Sequence, residues 1–330
     1  MAPFRLYKNH SILYQCAHHP AIAQQNPNEV PDLVLDDLTS SNLTTNDLLN
    51  KVIIISVIYE GHCDTNITFI VNYLTRFTPV ENIRVLFNSV IDTSLLPYRA
   101  ECLPLTMANH RLDASINVEQ HSLQRQEITH KFLCLSRRPN LVRAKLVSHL
   151  TQSISSIQAS FGAGNPELAK KFQLYFPHTK LPLALDEPRI ADSDLQYLEQ
   201  GHKSLFHFVI ETGSQNDIGW HSIMFTEKSF KCMLDYQIPI WTAVPGFVAE
   251  FRKLGFDMFD DIVDHSYDSI TEENARLVAI IEQAKILDKK YSLKDCQQMR
   301  LTLLPRFESN YKLLQKYAKF DFNAKQHNDA

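Results

Sequence analysis

KVIIISVIYEGHCD (residues 51–64) begins with seven apolar or β-branched residues in eight positions and then turns abruptly polar. Such a run has no alternation of apolar and polar residues, so both of its faces must be covered, and that is the pattern of a central strand in a parallel sheet. At eight residues, VIIISVIY (52–59) is the longest apolar run in the chain. A membrane-spanning helix needs about 18–20 such residues, so no span is expected. The segment NITFIVNYLTRF (66–77) then supplies a helix and NIRVLFNSV (82–90) a second buried strand, which opens a βαβ alternation.

The alternation resumes at residue 131. KFLCLS (131–136), SLFHFVIET (204–212) and IPIWTAV (238–244) read as strands. PNLVRAKLVSHL (139–150), TEKSFKCMLDY (226–236) and GFVAEFRKLG (246–255) read as helices. The segment 151–203 is less periodic and carries no assignment. Residues 270–291 and 293–320 have helical spacing, with Pro305 as a break or kink. The expectation is an α/β protein of two units, 1–130 and 131–330, with C-terminal helices closing the second.

Composition narrows the function. The chain has 330 residues, 44% of them hydrophobic, and a formal net charge of −4. That is enough apolar material for two cores, and there is no overall positive field to hold a phosphate backbone, so a nucleic-acid partner is not expected. The six cysteines are widely separated and form no CxxC pair, which fits a reducing compartment. Cys134 and Cys232 sit in apolar runs as buried thiols. The N-terminus has no signal-peptide core, and a cytoplasmic location is expected.

Doubly wound sheets bind ligands beyond the carboxyl ends of their strands. The eight glycines form neither GxGxxG nor GxxxxGK[ST], and GxSxG and HExxH are also missing, which argues against nicotinamide and P-loop chemistry. What stands at the strand ends is charged. In FLCLSRRPNLVRAKLVSHL (132–150), Pro139 suits a first helical turn and Val142, Leu146 and Leu150 make an inward face. Arg137 and Arg138 then fall in the strand-to-helix turn and Arg143 one turn inside, where cations oppose the helix dipole unless an anion joins them. FHFVIETG (206–213) delivers Glu211 at a strand end. In FTEKSF (225–230) Thr226 can cap a helix with Phe230, Met233 and Leu234 inward, Glu227 suits its first turn, and Lys228 makes sense if a diphosphate docks there. Each feature also has a plain alternative as loop or surface charge.

The order FHFVIETG, a loop, FTEKSF and QIPIWTA (237–243) resembles the donor-binding half of α-1,3-fucosyltransferases, and SRRPNLVR (136–143) is similar to that family's basic turn. Thr212-Gly213 replaces the family's Asn-Ser, and the loop SQNDIGWHSIM (214–224) is longer. The resemblance spans roughly 131–255. It implies a GT-B-like fold, with two Rossmann-like domains facing a cleft, an acceptor side in 1–130, and a nucleoside-diphosphate sugar held by 131–330. Lys228 and one of Arg137, Arg138 or Arg143 would contact the diphosphate, Glu227 the ribose, and Glu211 would support the donor loop. Transfer to a glycan, lipid-linked or protein acceptor without a metal would follow. No cofactor beyond the sugar donor is implied, and Asp192-Ser193-Asp194 is not expected to bind metal. An inverting reaction also needs a base. Glu60 is the first candidate, with His62 and Asp64 beside it in YEGHCD (59–64). A non-catalytic interaction protein on the same scaffold and a DNA-base glucosyltransferase are the alternatives.

Overall fold

The computed structural model describes residues 4–6, 12–16, 30–49, 51–57, 64–87, 89–90, 99–102, 127–183, 199–211 and 223–318. The chain divides into two compact units, Met1–Met107 with Ile218–Phe225, and Ala108–Asp217 with Thr226–Ala330. The division expected at residue 130 lies just past 103–126, which is outside the described residues.

In the first unit the strands are β1 (Phe4–Leu6), β2 (Ile12–Cys16), β3 (Ile53–Val57), β4 (Ile83–Phe87) and β6 (Arg99–Cys102), hydrogen-bonded in the order β1-β2-β3-β4-β6. From β2 onward every pairing is parallel, and β1 is antiparallel at the edge. The run quoted first thus sits where its pattern requires, between two parallel neighbours, with Ile53, Ile54 and Ile55 all buried. Helices α1 (Val30–Ser40) and α2 (Asp64–Leu74) make the crossovers. The strands advance in one direction, so right-handed crossovers put both helices on one face, where they pack together. Ile67, Ile70, Val71 and Leu74 form the buried stripe of α2 at helical spacing. The two-residue strand β5 (Ser89–Val90) pairs with β10 (Ile223–Met224), a return of the chain that no sequence pattern signalled.

The second unit is built differently. Its strands β7 (His130–Cys134), β8 (Ile157–Ala159), β9 (Ser204–Ile210) and β11 (Ile238–Thr242) are all parallel, in the order β11-β9-β7-β8. From β7 the chain moves to β8 on one side through α3 (Leu141–Ser153). It then returns past β7, by way of α4 (Pro166–Lys170) and α5 (Glu199–His202), to β9 on the other side. From β9 it continues outward through α6 (Glu227–Leu234) to β11. The strand order reverses between β7 and β9. By the right-handed rule α3 and α6 lie on opposite faces, and the turns that follow β7 and β9 part from each other, leaving a crevice at their carboxyl ends.

Aromatic packing holds this sheet. Every residue of β9 is buried, and Phe132 stacks on Phe206 and Phe208 at centroid distances of 5.2 and 5.6 Å. Each such ring contributes roughly 1.5–3 kcal/mol on burial. Helix α7 (Phe247–Lys253) follows β11 and brings Phe251 onto Trp241 at 4.9 Å. Helices α8 (Glu273–Lys290), α9 (Leu293–Thr302) and α10 (Leu304–Ala318) then pack on α3, on β7 and β9, and on α6 respectively. Leu303 separates the last two, and Pro305 stands in the first turn of α10, where its missing N–H costs nothing.

The opposite, amino-terminal end of this sheet is sealed by a buried polar network. The Arg300 guanidinium donates to the carbonyls of His202 and Ser204. Gln237 donates to the Ser204 hydroxyl at 2.7 Å and its carbonyl faces His207 Nδ1 at 2.9 Å, while His202 meets Asp235 at 3.2 Å. Cys134 and Cys232 are buried, and desolvation pushes the Cys134 thiol up to about 12, so both cysteines are inert core residues as their sequence context suggested.

Burial holds His207 down to about 4, and it also lowers His265. Both rings are therefore neutral in the native state and take up protons more readily once unfolded. Their stabilising contribution is complete above the unfolded value near 6.5 and is lost as pH falls toward the native value, with a full cost of about 3 kcal/mol for His207. Asp235, raised by desolvation, works weakly the other way in acid. Melting followed from pH 7 to pH 4 should show a steady fall that His207→Gln reduces, whereas a flat profile would contradict the buried neutral assignment.

Candidate functional site

The carboxyl end of β9 carries Glu211, which is 2% exposed. A carboxylate buried this deeply needs donors from the protein. Thr226 and Ser229 supply them, the Thr226 hydroxyl donating to Oε2 at 2.6 Å and the Ser229 hydroxyl donating to Oε1. Both donors belong to the start of α6. Thr226 is its N-cap, accepting the Lys228 backbone N–H at 3.3 Å, and the Lys228 ammonium stands 3.3 Å from the same hydroxyl. One hydroxyl thus joins strand, helix and lysine.

This arrangement explains most of FTEKSF. Thr226 caps the helix as its sequence suggested, and Phe230 and Met233 face the core. Leu234 is only half-buried, and Ser229 and Cys232 take the inward positions instead, because Ser229 must reach Glu211. A negative charge already lies beside the amino-terminal turn of α6, which accounts for part of what a lysine does there. Glu227 opens the helix, and its side chain lies outside the described residues.

The carboxyl end of β7 carries the basic turn. Helix α3 begins at Leu141 with Asn140 as its N-cap, the side chain accepting from the Arg143 N–H at 2.9 Å. Pro139 therefore precedes the cap and is not in the first turn as its residue type suggested; an Asn that can bond the free N–H groups wins the boundary. Val142, Leu146 and Leu150 are buried as predicted. Arg143 is buried too, and its guanidinium turns back to donate to the Arg138 carbonyl at 2.8 Å. Arg137 and Arg138 are exposed.

Sequence reading missed the partner of this turn. The chain after β8 crosses to it: Gly162 donates to the Ser136 carbonyl at 2.8 Å and Gly164 to the Arg137 carbonyl at 3.0 Å. Gly162 has φ +75°, and a Cβ there would lie 2.3 Å from that of Ala169. Two glycines of eight in FGAGN (161–165), directly after a short strand, were the available signal. The Ser136 hydroxyl is buried with no hydrogen-bond partner among the described residues.

The carboxyl end of β11 differs in charge. Gly246 and α7 border an open cleft lined by Arg252, Asp260, Asp264, His265 and Asp268. The Asp268 carboxylate accepts from the N–H groups of Val248 and Ala249 at 3.0 Å each, so the start of α7 already holds an anion. Arg252 is engaged by Asp260. An anionic ligand is thereby directed away from β11 and toward the turn after β7.

The structure therefore brings Glu211, Thr226 and Lys228 into one cluster and places Arg137, Arg138 and Arg143 at the end of the adjacent strand, all in the second unit. Glu60 and His62 lie outside the described residues, as do Asp192 and Asp194 and the loop 212–222 with Trp220. Asp64 opens α2, in the first unit. Among the described residues no group of three or more His, Cys, Asp or Glu could hold a metal ion, and no helix is long and apolar enough to cross a membrane. No protein-family model, curated protein or solved structure matches the chain.

The Glu211 cluster makes a quantitative expectation. Glu211→Ala leaves two buried hydroxyls without their acceptor and should cost about 3 kcal/mol in denaturant unfolding. Glu211→Gln, which keeps an acceptor, should cost less, and the losses from Thr226→Val and Glu211→Ala should be markedly less than additive. Additive losses, or an alanine variant within about 0.5 kcal/mol of wild type, would contradict the shared network.

Proposed function

We propose that the chain is a glycosyltransferase that moves a sugar from a nucleoside-diphosphate donor to a hydroxyl acceptor, on a GT-B pair of Rossmann-like domains. The observation that carries this reading is the reversal of strand order between β7 and β9. It places the exposed guanidinium groups of Arg137 and Arg138 and the ammonium of Lys228 around one crevice. Such a crevice is the general ligand position of open parallel sheets. Cations there suit a diphosphate, and the acidic surroundings of the β11 cleft leave no equal alternative for it within the second unit.

In this reading the diphosphate is the leaving group. Charge accumulates on its oxygens as the glycosidic bond breaks, and fixed guanidinium and ammonium groups stabilise that charge. Lys228 supplies a point charge held by Thr226, while the arginines can bond two oxygens in a plane. Glu227 would take the ribose hydroxyls. Glu211 stays behind as the tie that fixes the start of α6. Glu60 would accept the proton of the attacking hydroxyl, giving inversion at the sugar carbon.

A second reading keeps the fold without catalysis. It is favoured by the Glu211 carboxylate at the start of α6, which gives Thr226, Ser229 and Lys228 a structural use. A DNA-base glucosyltransferase fits the acidic composition poorly.

One experiment separates these. The protein and its Lys228→Ala variant are melted with GDP, UDP, ADP, CDP and TDP. A diphosphate at 100 times its dissociation constant should add about 2.7 kcal/mol of stability. The donor reading expects one of the five to stabilise the wild type and to do so less in Lys228→Ala. With that nucleotide's sugar as donor, Glu60→Gln should bind normally and transfer poorly. No stabilisation at millimolar concentration would favour the interaction protein, and salt-sensitive binding to duplex DNA would favour the third reading.

A further inference from the structure

The three arginines of the β7 turn are not equivalent, and their differences assign roles within the donor site proposed above, on which this inference rests. Arg143 is 6% exposed and its guanidinium is spent on the Arg138 carbonyl, so it braces the turn from inside. Arg138 is exposed, and its backbone is what Arg143 holds. Arg137 is exposed at its tip but not along its stem. A Cβ on Gly164 would lie 2.6 Å from Arg137 Cγ, 3.1 Å from Nε and 3.2 Å from the Arg137 carbonyl oxygen. The side chain therefore lies along the bare backbone of Gly164, and the Gly164 N–H donates to the Arg137 carbonyl at 3.0 Å.

We infer that Arg137 is the guanidinium that grips the phosphate oxygens and that Gly164 positions it, the missing Cβ being the groove in which its stem is laid. A guanidinium held along its stem gives up less rotamer freedom on binding than a free surface arginine, and its planar fork is aimed before the anion arrives. The buried Ser136 hydroxyl, without a partner among the described residues, is an independent polar group in the same turn and points to an oxygen-rich ligand there. No residue other than glycine at 164 leaves this path open, because even alanine pushes on the arginine stem.

The test uses the full chain, with inorganic pyrophosphate and the same five nucleoside diphosphates as probes and calorimetry as the readout. Arg137→Gln should weaken whichever probe binds by roughly tenfold or more, as expected for loss of a charge-assisted pair, and Arg138→Gln by less. Gly164→Ala should weaken the same probe, and adding it to Arg137→Gln should produce no further loss. The melting of Gly164→Ala without ligand guards against a folding defect. If the contact is with the Arg137 stem, Arg137→Ala in that background restores part of any lost stability. A wild type that binds its probe, with Gly164→Ala equal to it or additive with Arg137→Gln, overturns this assignment alone. A wild type that binds none of the probes overturns the donor reading and this inference together.

Discussion

Burial of the Glu211 carboxylate is the constraint on which the second unit's working edge depends. An ionised group at 2% exposure must be satisfied from within, and the donors nearest in sequence are fifteen and eighteen residues away, across a loop. Satisfying it draws the first turn of α6 to the carboxyl end of β9, fixes Thr226 as the cap, turns Ser229 inward and sets the Lys228 ammonium beside them. The Glu211 N–H, donating to the Thr242 carbonyl at 3.0 Å, carries the same constraint to the end of β11. Three successive elements are thereby referred to one side chain.

The turn after β7 is organised by a different means. There the backbone carbonyls of Ser136, Arg137 and Arg138 are taken by Gly162, Gly164 and the Arg143 guanidinium, so the turn is held rigid while two charged side chains remain in water. A buried arginine that bonds a carbonyl keeps its charge, so it raises the local positive potential without offering a contact. Reversal of strand order then sets this rigid basic turn next to the Glu211 cluster. The acidic cleft after β11, with Asp268 already at the start of α7, completes a strand-end edge that is basic on one side and acidic on the other.

Strand runs and helix stripes were legible in the sequence because burial on both faces leaves no room for polar residues. Ile53–Ile55, all of β9, and the Val142–Leu146–Leu150 stripe all followed that rule. The three-residue strand β8 and the two-residue pair β5 and β10 were not legible, since segments so short carry no period. The helix boundary at Asn140 was misplaced because proline was weighed and the capping side chain was not. Arg143 was read by its position on the helix, and position alone cannot say that a long side chain will double back to a carbonyl. Gly162 and Gly164 were passed over because they match no nucleotide fingerprint, although their spacing after a strand was visible. Glu211 was correctly placed at a strand end, and only its two hydroxyl partners distinguish a tie from a ligand contact.

The most direct test of the central claim, that the β7–β9 crevice receives a diphosphate, is amide hydrogen exchange with and without the nucleoside diphosphate that binds most tightly. The account predicts protection concentrated in residues 135–143, 160–165 and 226–231, with the β11 cleft at 260–269 unchanged. Protection confined to 260–269, or none in any of these segments while binding is demonstrated, would contradict it.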